Sequence, residues 1–417
     1  MNDTAIATPA LSPRWPVWLV FAFLVVLPFG NAFEAPLAAM AAIGLWRLVT
    51  QPRAVLADVA TRRVVALFLV IWLPMLVALP DAVNAQRSLE TVLVFVRFPL
   101  AGVFIVAALK DAAARRWLIS ACGLLLLFWA ADGLVQLIFG RDLLGFPYNG
   151  TRVSGLFNAK LTLGHVLAVA SPVVYETLRR HAAGRAWPWL AVLPYLAVIV
   201  ATGSRAAWVM AALAGTLYAA YRVRELPRAQ RWQMLARAAA GVVALGVALA
   251  LVPAVRDKAA STAGLFSGDY ARANEATSLR LPIWASASRM IADHWINGVG
   301  PRGFRYAYPQ YAAPGDPYIA KDPHHGPTHA HQMLLEILSE TGVVGLAGLV
   351  AFYVLLARIA LRLDPATAHE ALPWFSAAAA AVFPLNTGLA FYASFWSATL
   401  WWFVLVAVAF STPPATR

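Results

Sequence analysis

Apolar residues fall along the chain in repeated blocks, each bounded by short polar turns. The blocks run to roughly 17–25 residues, the length at which a helix crosses a bilayer's hydrocarbon. They lie at 15–32, 34–50, 62–80, 91–109, 117–138, 162–178, 187–203, 205–222, 238–254, 332–357, 370–388 and 390–410. The pattern predicts an all-α, polytopic integral membrane protein with about 12 transmembrane helices. It also predicts three parts: an N-terminal bundle of about nine helices over 1–254, a large loop domain over 255–331, and about three helices over 332–417.

The loop domain is polar but patterned. In LPIWASASRMIADHWI, Pro282 is placed to start a helix, and Ile283, Trp284, Ala287, Met290, Ile291 and Trp295 recur at steps of three and four. Such a helix can lie on a membrane surface or cap a cavity, apolar face down. The Gly-, Pro- and Tyr-rich stretch that follows reads as ordered irregular chain able to close over a sugar-sized groove. Within it, Tyr306, Tyr308, Tyr311 and Tyr318 suit sugar stacking or, more simply, packing.

Basic residues give an orientation. The turns after every second block carry them: Arg53, Arg62 and Arg63; Lys110, Arg115 and Arg116; Arg179, Arg180 and Arg185; Arg222, Arg224, Arg228, Arg231 and Arg237; Arg358 and Arg362. Short basic loops stay in the cytoplasm, which places both termini there and the loop domain outside. The opening segment, with only Arg14, reads as a retained tail ahead of a membrane anchor.

Composition agrees, with 61% hydrophobic and only 13% charged residues, about half the charge of a soluble domain. The formal charge of +13 is accounted for by the basic turns, so no nucleic-acid partner is expected. A single cysteine, Cys122, excludes an intrachain disulfide and a zinc–thiolate site.

The candidate chemistry gathers at the end of the loop domain. Four of the eight histidines, His324, His325, His329 and His331, fall within 324–331. His331 is expected on the first turn of the block that follows, its imidazole kept neutral by the positive helix end and nearby arginines, and so able to take a proton from a hydroxyl. A plain helix cap is the simpler reading. His329 is the rival base, on a different helical face, while His325 suits loop shaping or substrate contact. The His-x-His pair also resembles a metal pair, but arginines would repel a cation, and no metal or other cofactor is expected.

Arg205 in GSRAAW stands at a helix start, where a cation gains nothing from the dipole and an anion would explain it. Arg280 and Arg152 can reach the same cavity, and guanidiniums suit phosphate through their planar fork of donors. Headgroup binding or snorkelling is the blander alternative for each. Arg97, deep in an apolar block, can hold a lipid phosphate or pair with Asp132. Glu336 and Glu340, four apart, can clamp an arginine, or Glu336 can orient a sugar.

The layout, with GSRAAW, SLRLPIW (Arg280 and Trp284) and HQMLLEILSETGVVGL from His331, resembles the O-antigen ligase and polymerase superfamily, and within it most the lipopolysaccharide O-antigen ligases. The resemblance implies a glycosyltransferase of the bacterial inner membrane with its site facing the periplasm. Its donor would be a glycan on undecaprenyl pyrophosphate, its acceptor the lipid A-core, its surroundings membrane lipids, and the chain a monomer. It implies inversion without a metal, with His331 matching the essential histidine, Arg205 and Arg280 the pyrophosphate-binding arginines, and Arg152 a further match. An O-antigen polymerase with the same donor is the alternative. So is a lipid or polysaccharide transporter or flippase, which Arg97, His165 and Glu176 would suit.

Overall fold

The computed structural model describes residues 15–415 except 183, 226, 229, 234–235, 237–255 and 257–259. The tail to Arg14 and the apolar block at 238–254 lie outside the described residues.

The described residues fold as helices: α1 (Trp15–Val25), α2 (Glu34–Thr50), α3 (Pro52–Ala57), α4 (Val59–Val77), α5 (Ala85–Phe95), α6 (Arg97–Ala108), α7 (Ala112–Phe139), α8 (Leu163–Ala182), α9 (Val192–Ala201) and α10 (Arg205–Glu225). After these come α11 (Tyr270–Ala276), α12 (Leu281–Asp293), α13 (Phe304–Tyr311), α14 (Met333–Leu361), α15 (Pro365–Ala381) and α16 (Ser394–Ala409). Side-chain caps fix several starts: Asp58, Asn84, Asp111 and Asp364 each accept a first-turn backbone N–H. Gly140, at φ 77°, ends α7 in the left-handed conformation that glycine tolerates best.

The expectation of about 12 spans is not met. Among the described residues, four helices are long and apolar enough to cross a membrane: Val59–Val77, Ala85–Ala108 (α5 running into α6), Ala112–Phe139 and Met333–Leu361. The other apolar blocks fall short for local reasons. Helix α1 stops after 11 residues, ahead of a turn with Gly30 at φ 58°. Only 10 residues of α9 follow a 3₁₀ turn, and α15 and α16 have 17 and 16. Helices α8 and α10 reach 20 and 21 residues but end in Arg179, Arg180 and His181, and in Arg222 and Arg224.

These helices pack α2 along α6, α8 against α7, α10 and α15, and α14 along α4, around one large apolar core. The outside remains apolar as well: Trp15, Trp46, Val49, Leu93, Phe139 and Leu361 are all exposed. Such a surface would aggregate in water and suits lipid. The protein is therefore membrane-associated.

A second, smaller core joins Ile283, Ala287 and Met290 of α12 to Phe304, Ala307 and Tyr308 of α13, with Val299 and Ala330. Burying each larger side chain stabilises this layer by about 1.5–3 kcal/mol. Helix α12 starts where Pro282 predicts, but Trp295 falls beyond its end and is exposed.

The layer is fastened to α14 at a break. Gly342, at φ 63° and ψ −160°, interrupts that helix, in a backbone region open essentially to glycine alone. The freed groups bond to the incoming loop: Val343 N–H donates to the Trp295 carbonyl (2.8 Å), Val299 N–H to Ser339 (2.8 Å) and Gly300 N–H to Glu340 (3.0 Å). A Cβ on Gly342 would lie 2.2 Å from the Ile296 carbonyl oxygen. Beyond the break, Val343–Leu361 is roughly 28 Å long as a helix, about the hydrocarbon thickness.

Gly342→Ala should therefore cost more than the ~1–3 kcal/mol of backbone strain alone. A lowered melting temperature of the purified protein in detergent is the expected result; wild-type melting would contradict this account of the break.

Candidate functional site

Gln332 caps α14, its side chain accepting from Leu335 N–H at 2.6 Å, so the helix begins at Met333. His331 thus lies in the turn before the helix, not on its first turn, and is left-handed at φ 52°. A non-glycine residue there costs roughly 1–2 kcal/mol and must be held by its surroundings. His329 is no longer on a separate face: its ring packs on that of His331, with centroids 3.9 Å apart and planes at 40°.

Thr328 Oγ1 lies 3.0 Å from His329 Nδ1. His329 Nε2 and His331 Nδ1 are buried and without a hydrogen-bond partner among the described residues. Burial, and then the charge of Arg280, lowers the His331 pKa to about 4. Burial, then His331, Arg302 and Arg280, holds His329 well below the usual imidazole range. Both rings are neutral at neutral pH, each with a nitrogen free to exchange a proton.

Arg205 opens α10 where expected and donates to Thr262 Oγ1 at 2.9 Å and to the Ala276 carbonyl. Beside it the turn through Gly203, at φ 65°, runs against Arg152, where a Cβ would stand 3.5 Å from Arg152 Cγ. Asn149 Oδ1 accepts from the backbone N–H of Thr151 and Arg152, and Val153 N–H donates to Ala201, which fixes this second arginine. The third, Arg280, follows two successive left-handed non-glycine residues, Ser278 (φ 60°) and Leu279 (φ 63°). Ser278 and Leu279 N–H bond back to Glu275 and Asn274, and Tyr318 Oη donates to the Leu279 carbonyl at 2.9 Å.

The three guanidiniums are close enough to act on one another. Burial lowers the pKa of Arg205, with Arg152 adding to it; burial lowers that of Arg280, with Arg205 and Arg152 adding. Arg152 and Arg280 also act on the ring of His165, whose Nε2 lies 3.0 Å from Ser204 Oγ. Among the described residues no carboxylate forms an ion pair with Arg152, Arg205 or Arg280. Cations held together without a counter-charge are costly unless an anion completes them.

The remaining expected residues are placed elsewhere. Arg97 pairs with Glu34 at 2.9 Å and donates to Ser394 at 3.1 Å. It does not pair with Asp132, whose oxygens accept from Leu143 and Leu156 N–H instead. Glu336 is fully buried and accepts from the backbone of Phe391 (3.0 Å) and Tyr392 (3.2 Å), which leaves it no reach to a sugar. Glu336 and Glu340 clamp no arginine side chain among the described residues: Glu340 accepts from the backbone N–H of Arg302 at 2.6 Å. His325 is tied to Asp322 at 3.1 Å, as a loop-shaping residue would be, with its ring 5.5 Å from that of Tyr306. Trp284 packs on the small core, its Nε1 buried without an acceptor. Tyr308 donates to Asp316 at 2.8 Å inside that core, a packing role. Among the described residues no group of three His, Cys, Asp or Glu side chains could hold a metal ion.

One residue here escaped the sequence reading. Arg302, left-handed at φ 62°, acts on His329 and has Nη1 buried without an acceptor. Its signal in the sequence is the local GVGPRGF, an arginine set between residues that end helices.

Residues 190–350 match the profile of a protein family described as O-Antigen ligase. The matched segment holds Arg205, Arg280 and both paired histidines, and it supports membership of the O-antigen ligase/polymerase superfamily. No curated protein matches the chain.

Removing the Arg280 charge should let His331 protonate at higher pH. Carbethoxylation of residue 331, followed by peptide mass spectrometry across pH 4–8, should show a half-point near 4 in the wild type and a higher one in Arg280→Ala. An unchanged half-point would show that the two side chains do not sense each other.

Proposed function

We propose that the chain is an O-antigen ligase, an inverting, metal-independent glycosyltransferase. It would move a polysaccharide from undecaprenyl pyrophosphate to the lipid A-core at the periplasmic face of a bacterial inner membrane. The proposal is carried by three arginine side chains, without a carboxylate partner among the described residues, brought together near a packed histidine pair. Pyrophosphate is an anion of the right shape for several guanidiniums.

The chemistry follows from these parts. An acceptor hydroxyl oxygen attacks the anomeric carbon, the bond from that carbon to the pyrophosphate oxygen breaks on the opposite face, and the hydroxyl proton passes to His331. Arg205, Arg280 and Arg152 stabilise the charge that develops on the leaving pyrophosphate. A base with a pKa of about 4 is weak for this task. Donor binding corrects it, because a pyrophosphate at Arg280 offsets the charge that holds the imidazole down and raises its affinity for a proton. The base is thereby strengthened when the donor is in place.

Orientation rests on the two ends of α8 and α10. His165 lies by Ser204 at their starts and Glu176 by Arg222 at their ends, so the helices run parallel. The candidate site is at their starts. At their ends, roughly 26 Å along α10, stand Arg179, Arg180, Arg222 and Arg224. The same order holds on α14, one of the four helices able to cross: His331 precedes its start, and Arg358 and Arg362 stand at its end. By charge bias the basic end is the cytoplasmic one, which would turn the site and the loop layer to the periplasm, with both termini cytoplasmic.

His331→Ala should lower transfer by about 10²–10⁴-fold at normal protein abundance, and Arg205→Ala should raise the KM for the carrier-linked donor. With purified protein and both acceptors offered, labelled glycan should appear on lipid A-core. Label chasing into a lengthened carrier-linked glycan would make the chain a polymerase, and activity retained without His331 would move the base to His329.

In the free enzyme the base is active when unprotonated, so kcat/KM should fall only as pH approaches the His331 value of about 4. An acid limb centred near the ordinary imidazole value would contradict this.

A further inference from the structure

A polar cavity of about 420 Å³ opens between the start of α5 and the start of α13, lined by Asn84, Gln86, Arg87, Glu90, Arg302, Arg305 and Tyr306. Its size is within the range of small-ligand sites. Its walls are set in advance. Ser88 Oγ donates to the Pro301 carbonyl at 2.9 Å, and Val83 N–H to Val299 at 3.0 Å. Gly300, at φ 91°, is pressed so close to Ala82 and Ser88 that a Cβ would stand 2.5 Å from the Ala82 Cβ. From the other side, Glu340 holds the Arg302 backbone N–H.

Charge within the cavity is unequal. Arg87 pairs with Glu90 at 3.1 Å, and Gln86 donates to the same carboxylate. Arg302 and Arg305 have no ion pair among the described residues, and Arg302 Nη1 and Arg305 Nε are buried without an acceptor. The Arg305 guanidinium stands 5.8 Å from the Tyr306 ring centre. Buried donors of this kind are costly unless something accepts from them. An aromatic ring beside paired guanidiniums is a surface that a charged sugar fits, ring on ring and anion on fork.

The cavity is placed to matter. The charge of Arg302 reaches His329, and that of Arg280 reaches both histidines. The histidine pair thus has arginines of both groups close by, Arg280 of the first and Arg302 of the second. A displacement reaction needs its nucleophile and leaving group on opposite sides of the reacting carbon, with the base beside the nucleophile.

We propose that this cavity is the acceptor subsite, and that it takes an anionic sugar, one bearing a phosphate or carboxylate that Arg302 and Arg305 bind. The word acceptor rests on the glycan-transfer reading; the binding of an anionic sugar does not.

The test uses the full chain in phosphatidylcholine nanodiscs, with glucose 6-phosphate and glucose as probes followed by saturation-transfer NMR. Glucose 6-phosphate should bind and glucose should not. Arg302→Gln and Arg305→Gln, which remove the charge but keep a polar side chain and the backbone N–H, should each weaken binding about ten-fold, the worth of a charge-assisted hydrogen bond, while Arg205→Ala should leave it unchanged. Binding indifferent to both glutamine variants, or lost equally in Arg205→Ala, would overturn the assignment. So would displacement of the probe by nanodiscs containing phosphatidylglycerol, which would make the cavity a lipid-headgroup site. In the transfer assay, the same two variants should raise the KM for lipid A-core and leave the donor KM unchanged; a raised donor KM would overturn the subsite. A wild type that binds glucose 6-phosphate through Arg302 and Arg305 but transfers nothing would refute the glycan-transfer reading and leave the anionic-sugar site standing.

Discussion

The interruption of α14 at Gly342 is the constraint on which the rest of the molecule depends. A continuous helix would satisfy its own backbone and offer the loop layer nothing to hold. At the break, carbonyl and N–H groups of Ser339, Glu340, Val343 and Val344 bond instead to the segment from Trp295 to Gly300. That segment delivers Arg302, whose N–H is taken by Glu340, and α13 behind it. The same first section of α14 is preceded by the left-handed His331. One local departure from helix therefore sets the position of Arg302 beside the section of α14 that the histidine pair precedes.

The chain treats its cations in two opposite ways. At the far end of α8, Glu176 is fully buried and accepts from Arg179, Arg180 and Arg222, with Tyr218 Oη donating to it as well. Arg222 also pairs with Glu225. There the charges are compensated within the protein, as a structural lock requires. At the near end Arg152, Arg205 and Arg280 have no such carboxylate among the described residues, yet the backbone of each is fixed by turns with positive φ beside it or by side-chain caps. Rigid placement without compensation is what a site for an external anion needs.

Much of this was legible in the sequence, and the part that was not has a physical reason. The helical class, the start of α12 at Pro282 and the start of α10 at Arg205 follow from periodicity and helix-start chemistry. The number of spans did not, because hydropathy counts apolar residues but does not see where a turn through Gly30 or a 3₁₀ segment at Trp187–Ala191 shortens the helix. Pairings across the chain were hidden for a different reason. Arg97 finds Glu34 rather than Asp132, and Glu336 caps the backbone at Phe391 and Tyr392, through contacts that no local pattern encodes. His329 and His331 looked like neighbours on different helical faces. A left-handed turn stacks them, and left-handed histidine has no signature in a sequence.

The central claim is that guanidiniums from three distant segments and the His331 imidazole share one substrate. A structure of the full chain with its undecaprenyl pyrophosphate-linked glycan bound tests it most directly. The account predicts the pyrophosphate within hydrogen-bonding distance of Arg205 and Arg280, and the anomeric carbon facing His331. A pyrophosphate seated among Arg87, Arg302 and Arg305, or one that leaves position 331 out of reach of the glycan, would contradict it.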